Sequence, residues 1–115
     1  MAVEKLVGYV VLAFRIHKEG DQYVSECVEL GTTSCGDSID EALANIEEAT
    51  LQYLNAIEER GERDRIFRRK NIRIILGIPH DEMKPVTARD RETVSLFVHP
   101  LSVVGPSHGS PAAVL

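Results

Sequence analysis

From Ser38 to Arg60 apolar residues return every three or four positions, and no other stretch restricts the fold so strongly. Ile39, Ala42, Leu43, Ile46, Ala49, Leu54 and Ile57 form one stripe, with Thr50 and Tyr53 on or beside it. That spacing is the helical period with a single buried face. Ser38 followed three residues later by Glu41 makes a capping box, in which each side chain serves a backbone donor at the other's end. Asp40 and Glu41 also place negative charge where the helix dipole favours it. Glu47, Glu48, Gln52, Asn55, Glu58 and Glu59 fall mainly on the opposite, wet side. Arg60 supplies a late positive charge and Gly61 a stop. Such a helix is about 33 Å long, enough to cross a small sheet.

The chain ahead of it reads as that sheet. Leu6 to His17 (LVGYVVLAFRIH) is rich in β-branched and aromatic residues. Val10, Leu12, Phe14 and Ile16 share one face, and Tyr9, Val11, Ala13 and Arg15 the other. Apolar character on both faces predicts a central strand. Lys18-Glu19-Gly20-Asp21 is a hairpin signal. Gln22 to Leu30 alternates without a clean apolar face, Gly31 breaks it, and Thr32 to Cys35 makes a third short strand before Gly36-Asp37. A three-stranded antiparallel meander followed by a long amphipathic helix is an α+β fold.

Beyond Gly61 the signals weaken. Glu62 to Lys70 is charged, with Ile66 and Phe67 as apolar anchors, and predicts a short second helix. Ile72, Ile74, Leu76 and Ile78 alternate as a strand over 72–78, closed by Pro79. His80 to Arg91 reads as a loop. Glu92 to His99 is a last β-like run stopped by Pro100, and 100–115 reads as a flexible tail. The expectation is one domain over 1–99. With five per cent aromatic residues and no Trp, its core is expected to be aliphatic.

The chain carries a formal charge of −5. That argues against broad nucleic-acid binding, which needs a basic surface to displace counterions, and suits a basic partner. No apolar run is long enough for a membrane span, and the first residues lack a leader pattern, so the expected compartment is the cytosol. There Cys27 and Cys35 stay reduced.

Catalytic chemistry finds little to use. A two-metal nuclease needs converging carboxylates. Asp21 sits in a turn, Asp40 and Glu41 serve a helix start, and Glu26 and Glu29 have opposite strand parity. Asp37 is a turn residue. His17, His80, His99 and His108 are scattered, and none stands at zinc-ligand spacing from a cysteine. Nothing marks either cysteine as activated, and Gly31 and Gly36 punctuate strands rather than cradle a phosphate. The cluster Arg60, Arg63, Arg65, Arg68, Arg69, Lys70 and Arg73 is interrupted by Glu62 and Asp64 and reads as a solvated helix end. No metal, cofactor or catalytic residue is expected.

Tyr9 to Leu54 resembles the N-terminal domain of HicB-type antitoxins. The resemblance runs through the hairpin YVVLAFRIHKEGDQYVSECVEL and then TTSCGDSIDEALANIEEATLQYL. Within the latter, Gly36, Asp37, Ser38, Asp40, Glu41, Ala42 and Asn45 match the family's Gly-Asp-Ser/Thr turn and helix start. It implies a truncated ribonuclease-H-like fold without the acidic active site, which binds and masks a small basic RNA-cleaving toxin. Many members add a C-terminal DNA-binding domain; after Arg91 only TVSLFVH resembles the start of one, so operator binding is not expected. Glu29-Leu30-Gly31 stands where the family has Pro-Gly. Strand exposure and charge make Tyr23, Glu26 and Glu29 the candidate contacts to such a partner. The alternative is an orphan domain of this fold that only self-associates as a homodimer or larger homo-oligomer, since open strand edges invite pairing. A hydrolase with an unrecognised site ranks below both.

Overall fold

The computed structural model describes residues 5–78, 86–89 and 92–104. The elements run β1 (Lys5–Glu19), β2 (Gln22–Cys27), β3 (Thr33–Gly36), α1 (Ile39–Glu59), α2 (Arg63–Arg69), β4 (Ile75–Leu76), β5 (Val86–Arg89) and β6 (Glu92–Val104). The α+β class, the opening meander and the long helix are as the patterning predicts. β1 and β2 pair antiparallel from Glu19↔Gln22 to Phe14↔Cys27, and β2 and β3 from Tyr23↔Gly36 to Glu26↔Thr33. The sheet order is β3-β2-β1-β6-β5, with β4 on β1 as well.

The main departures lie after Gly61. Pro100 does not stop the last strand: β6 continues to Val104 and pairs with β1 from His17↔Glu92 to Lys5↔Val104. The strand therefore runs past the expected boundary at 99, and the rest of the expected tail, 105–115, lies outside the described residues. A proline lacks an N–H and is tolerated on an edge strand. Among the described residues β5 accompanies β6 only from Glu92 to Ser95, so Pro100 stands on an open edge. The expected loop at 80–91 contains β5, while 80–85, 90 and 91 lie outside the described residues. The expected strand at 72–78 contracts to β4. Ile72 and Ile74 are buried, but Leu76 and Ile78 are exposed rather than continuing that face. β2 ends at Cys27, and 28–30 form a turn.

The core lies between the sheet and α1. Val10, Leu12, Phe14 and Ile16 alternate along β1 and are all essentially inaccessible. They face Ala42, Ile46, Thr50, Leu54 and Ile57 of α1, a stripe at helical spacing. Thr50 is buried in that stripe and its hydroxyl meets Thr32 Oγ1 at 3.1 Å. Phe14 and Phe67 are the largest fully buried side chains, so the core is not purely aliphatic. Both helices end in a left-handed residue that lets the next two N–H groups turn back onto the last carbonyls. At α1 this is Gly61 (φ 67°), with Glu62 N–H donating to Ile57 O at 2.8 Å. At α2 it is Asn71 (φ 58°), with Ile72 N–H donating to Phe67 O at 2.8 Å. No helix among the described residues is long and apolar enough to cross a membrane.

Candidate functional site

The residues that carry the resemblance build the junction between β3 and α1. Gly36 is buried at the end of β3, where an added Cβ would lie 2.6 Å from Ala42 N and 2.9 Å from Glu41 C. Ser38 is the N-cap and its Oγ accepts from Glu41 N–H at 3.0 Å. The Glu41 carboxylate reaches back to Asp37 N–H at 2.6 Å, one residue ahead of the cap itself. Asn45, one turn further, donates from Nδ2 to Cys35 O at 2.8 Å, and Ala42 is fully buried. Each of these contacts holds strand against helix; Asp37 contributes its backbone.

Tyr23, Glu26 and Glu29 are not brought together. Tyr23 shares strand parity with Ser25 and Cys27, which are buried beneath α1, while Glu26 points to the other side of the sheet. The Lys18 ammonium lies 6.0 Å from the Tyr23 ring centre. Glu26 accepts from Arg15 Nη2 at 2.9 Å, and this pairing raises the guanidinium pKa above its ordinary value. Glu29 serves the fold: its Oε1 accepts from Ala13 N–H at 2.8 Å, next to the Val28 N–H that donates to Ala13 O. The carboxylate completes the edge of β1 where β2 has ended. Cys27 and Cys35 are both free thiols; burial pushes the Cys27 thiol up, which keeps it protonated and inert.

The residue that the patterning misplaces is Arg63, read as part of a solvated cationic cluster. It is buried, and it ties α2 to α1 and β6: Nη1 donates to Glu58 Oε1 at 2.9 Å and to Ser102 O at 3.1 Å, and Nε to Asp64 Oδ1 at 3.2 Å. With two carboxylates around one guanidinium, the buried charge is compensated. Beside it Leu54, Asn55, Glu58, His99 and Pro100 line a cleft of about 260 Å³. The His99 ring stacks on Phe97 at 5.9 Å between centroids, and Phe97 stacks on Phe14 at 5.1 Å. Burial holds the His99 imidazole below its ordinary 6.5, with a smaller opposing pull from Glu58.

That depression makes stability depend on pH. The folded state binds the His99 proton less readily than the unfolded chain does, so its contribution is fully present above pH 6.5 and is lost as pH falls through the lower folded-state value. His99→Gln removes this component. Urea unfolding across that interval should show the wild type losing stability on acidification relative to the variant. Parallel profiles would mean that His99 is fully hydrated.

Chemically the cleft offers a compensated ion pair and a neutral imidazole. Among the described residues no three His, Cys, Asp or Glu side chains gather as a metal site. His17 pairs with Glu19 at 2.9 Å, and His80 and His108 lie outside the described residues. The outer surface of α1 has a different character: Asp40, Glu41, Glu47, Glu48, Glu58 and Glu59 are its charged residues, and it has no lysine or arginine from Ile39 to Glu59. Comparison with protein-family models, curated proteins and solved structures finds no match.

Proposed function

We propose that this chain is a non-catalytic protein-binding module of the HicB-antitoxin kind, which masks a small basic ribonuclease toxin. The observation that carries the reading is the helix α1, whose charged side chains from Ile39 to Glu59 are all acidic. An acidic face of this kind draws a basic protein by complementary charge and speeds encounter. The junction at Gly36, Ser38, Glu41, Ala42 and Asn45 supports it too, because the residues shared with that family are the ones that fix α1 on the sheet. Tyr23 and Glu26 stay within this proposal as contacts on opposite sides of β2. A cytosolic setting belongs to the same reading.

Co-expression with a toxin-sized basic protein encoded beside this chain tests it. The expected result is a complex that weakens with salt and an RNA cleavage activity suppressed on binding. Replacing Glu47 and Glu48 with glutamine should slow association while leaving the fold intact, since Glu48 is exposed, Glu47 flanks the buried stripe, and glutamine keeps the size of both side chains. A basic neighbour that neither binds nor loses activity would count against the proposal. The alternative, an orphan domain that only self-associates, would give a stable homo-oligomer and no such complex.

A further inference from the structure

α1 covers one face of the sheet, and the register identifies what stands on the other. Because Val10, Leu12, Phe14 and Ile16 face α1, the intervening residues of β1 and their cross-strand partners point away from it. Those pairs are Val11↔Val98, Ala13↔Leu96 and Arg15↔Val94 between β1 and β6, and Tyr9↔Ile75 between β1 and β4. Val7 extends the row along β1 and is 58% exposed. Val28, whose N–H continues the β2 ladder onto Ala13 O, adds a side chain 47% exposed. Val11, Ile75, Val94, Leu96 and Val98 are each only partly buried, whereas Tyr9 is itself buried and adds little open surface. From Val7 to Ala13 and across to β6 this side carries no charged residue among the described residues.

Electrostatics separates this face from the acidic one. Its nearest charges among the described residues are Arg15, Glu26 and Glu92, which gather at one end: Arg15 lies 2.9 Å from Glu26 and 4.0 Å from Glu92, leaving a single net negative charge at the rim. The larger excess of acid is on the outer side of α1, in the other layer. A basic protein is drawn there, whereas an apolar sheet face whose charges are confined to its rim suits a surface like itself. Exposed rim charge of this size is screened by water and salt, and homodimer interfaces are the more apolar class.

We infer that a second copy of this chain docks on the sheet face opposite α1, giving a helix–sheet–sheet–helix dimer. The two sheets pack about 10 Å apart, with strand directions rotated by about 30°. An isologous contact sets each patch against itself. The two-fold axis passes nearest the Val11–Val98 pair, midway along β1 between exposed Val7 and the charges around Arg15, which puts both ends of the patch on the rim. β1 and β6 share a ladder from His17↔Glu92 to Lys5↔Val104. At about 3.3 Å per residue and about 4.8 Å per strand, with neighbouring strands included, it offers a footprint on the order of 600 Å². With its charged rim counted in, that is below the roughly 800 Å² per partner of a standard interface and corresponds to a weaker, concentration-dependent dimer.

Sedimentation velocity over a concentration series tests the inference on the full chain. The wild type should sediment as a dimer. Val98→Glu and, separately, Val28→Glu should each raise the dissociation constant on the order of 100-fold, because each would bury an unpaired carboxylate in the contact. Val28 is already largely exposed in a single chain, so its variant keeps the fold and the test stands even where Val98→Glu fails to fold. Far-UV circular dichroism reports that directly. Leu51→Glu, on the outer surface of α1, should leave the dimer unchanged. A wild type that is monomeric at every concentration, or a dimer indifferent to both sheet-face variants, would overturn the inference.

Discussion

Phe14→Ala should lower the unfolding free energy by about 4 kcal/mol, a large fraction of the roughly 5–15 kcal/mol typical of a domain. Phe14 is wholly inaccessible at the centre of β1. Its neighbours across the ladders are Cys27 on one side and Ser95 on the other, neither of which could swell to fill the space. Its ring also stacks on Phe97 at 5.1 Å with 26° between planes, and Phe97 carries His99 in turn. Truncation therefore removes transfer energy, leaves a cavity, and loosens the wall of the cleft at α1 and β6. Equilibrium urea unfolding should show a lower midpoint with little change in slope, since the folded surface is largely preserved. A loss near 1 kcal/mol would mean that helix and sheet collapse easily around the gap, contrary to the packed core described above.

The parts of this fold that could be read from the residues are those held by local spacing. The α1 stripe, the Ser38 cap, the Gly61 stop and the β1–β2 hairpin all depend on neighbours within a few positions. β6 does not. Its ladder joins Lys5 to Val104 and Tyr9 to Pro100, residues at opposite ends of the described chain. No local pattern specifies that register, and Pro100 in isolation looks like a terminator. Arg63 was hidden for a related reason. It stands among six other cationic residues, and only the approach of β6, with Ser102 O as acceptor, selects it for burial. Strand parity alone separates Tyr23 from Glu26. Glu29 could not be placed by parity, because the strand ends at Cys27 and the carboxylate turns back onto Ala13 N–H. The apolar underside was legible in part: both faces of β1 were seen to be apolar, but without β6 there was no patch.

Gly36→Ala should cost about 3 kcal/mol, and the reason is space rather than backbone conformation. A Cβ at this position would stand 2.6 Å from Ala42 N and 2.9 Å from both Glu41 C and Glu41 Cβ. Two of those atoms are helix backbone, so no rotamer change relieves the contact. Moving the helix start away strains the Ser38 cap on Glu41 N–H and stretches the Asn45 bond to Cys35 O, 3.0 and 2.8 Å long. The whole junction gives way together. A fall in melting temperature of about 12 °C is expected for a domain of this size. Gly20→Ala is the comparison: φ there is +62° and nothing lies within 4 Å of the added carbon. That substitution meets only the left-handed backbone penalty of about 1 kcal/mol. If the Gly36 variant melts no lower than the Gly20 variant, β3 does not approach α1 this closely, and the contacts that fix the acidic helix on the sheet must be rebuilt from another arrangement.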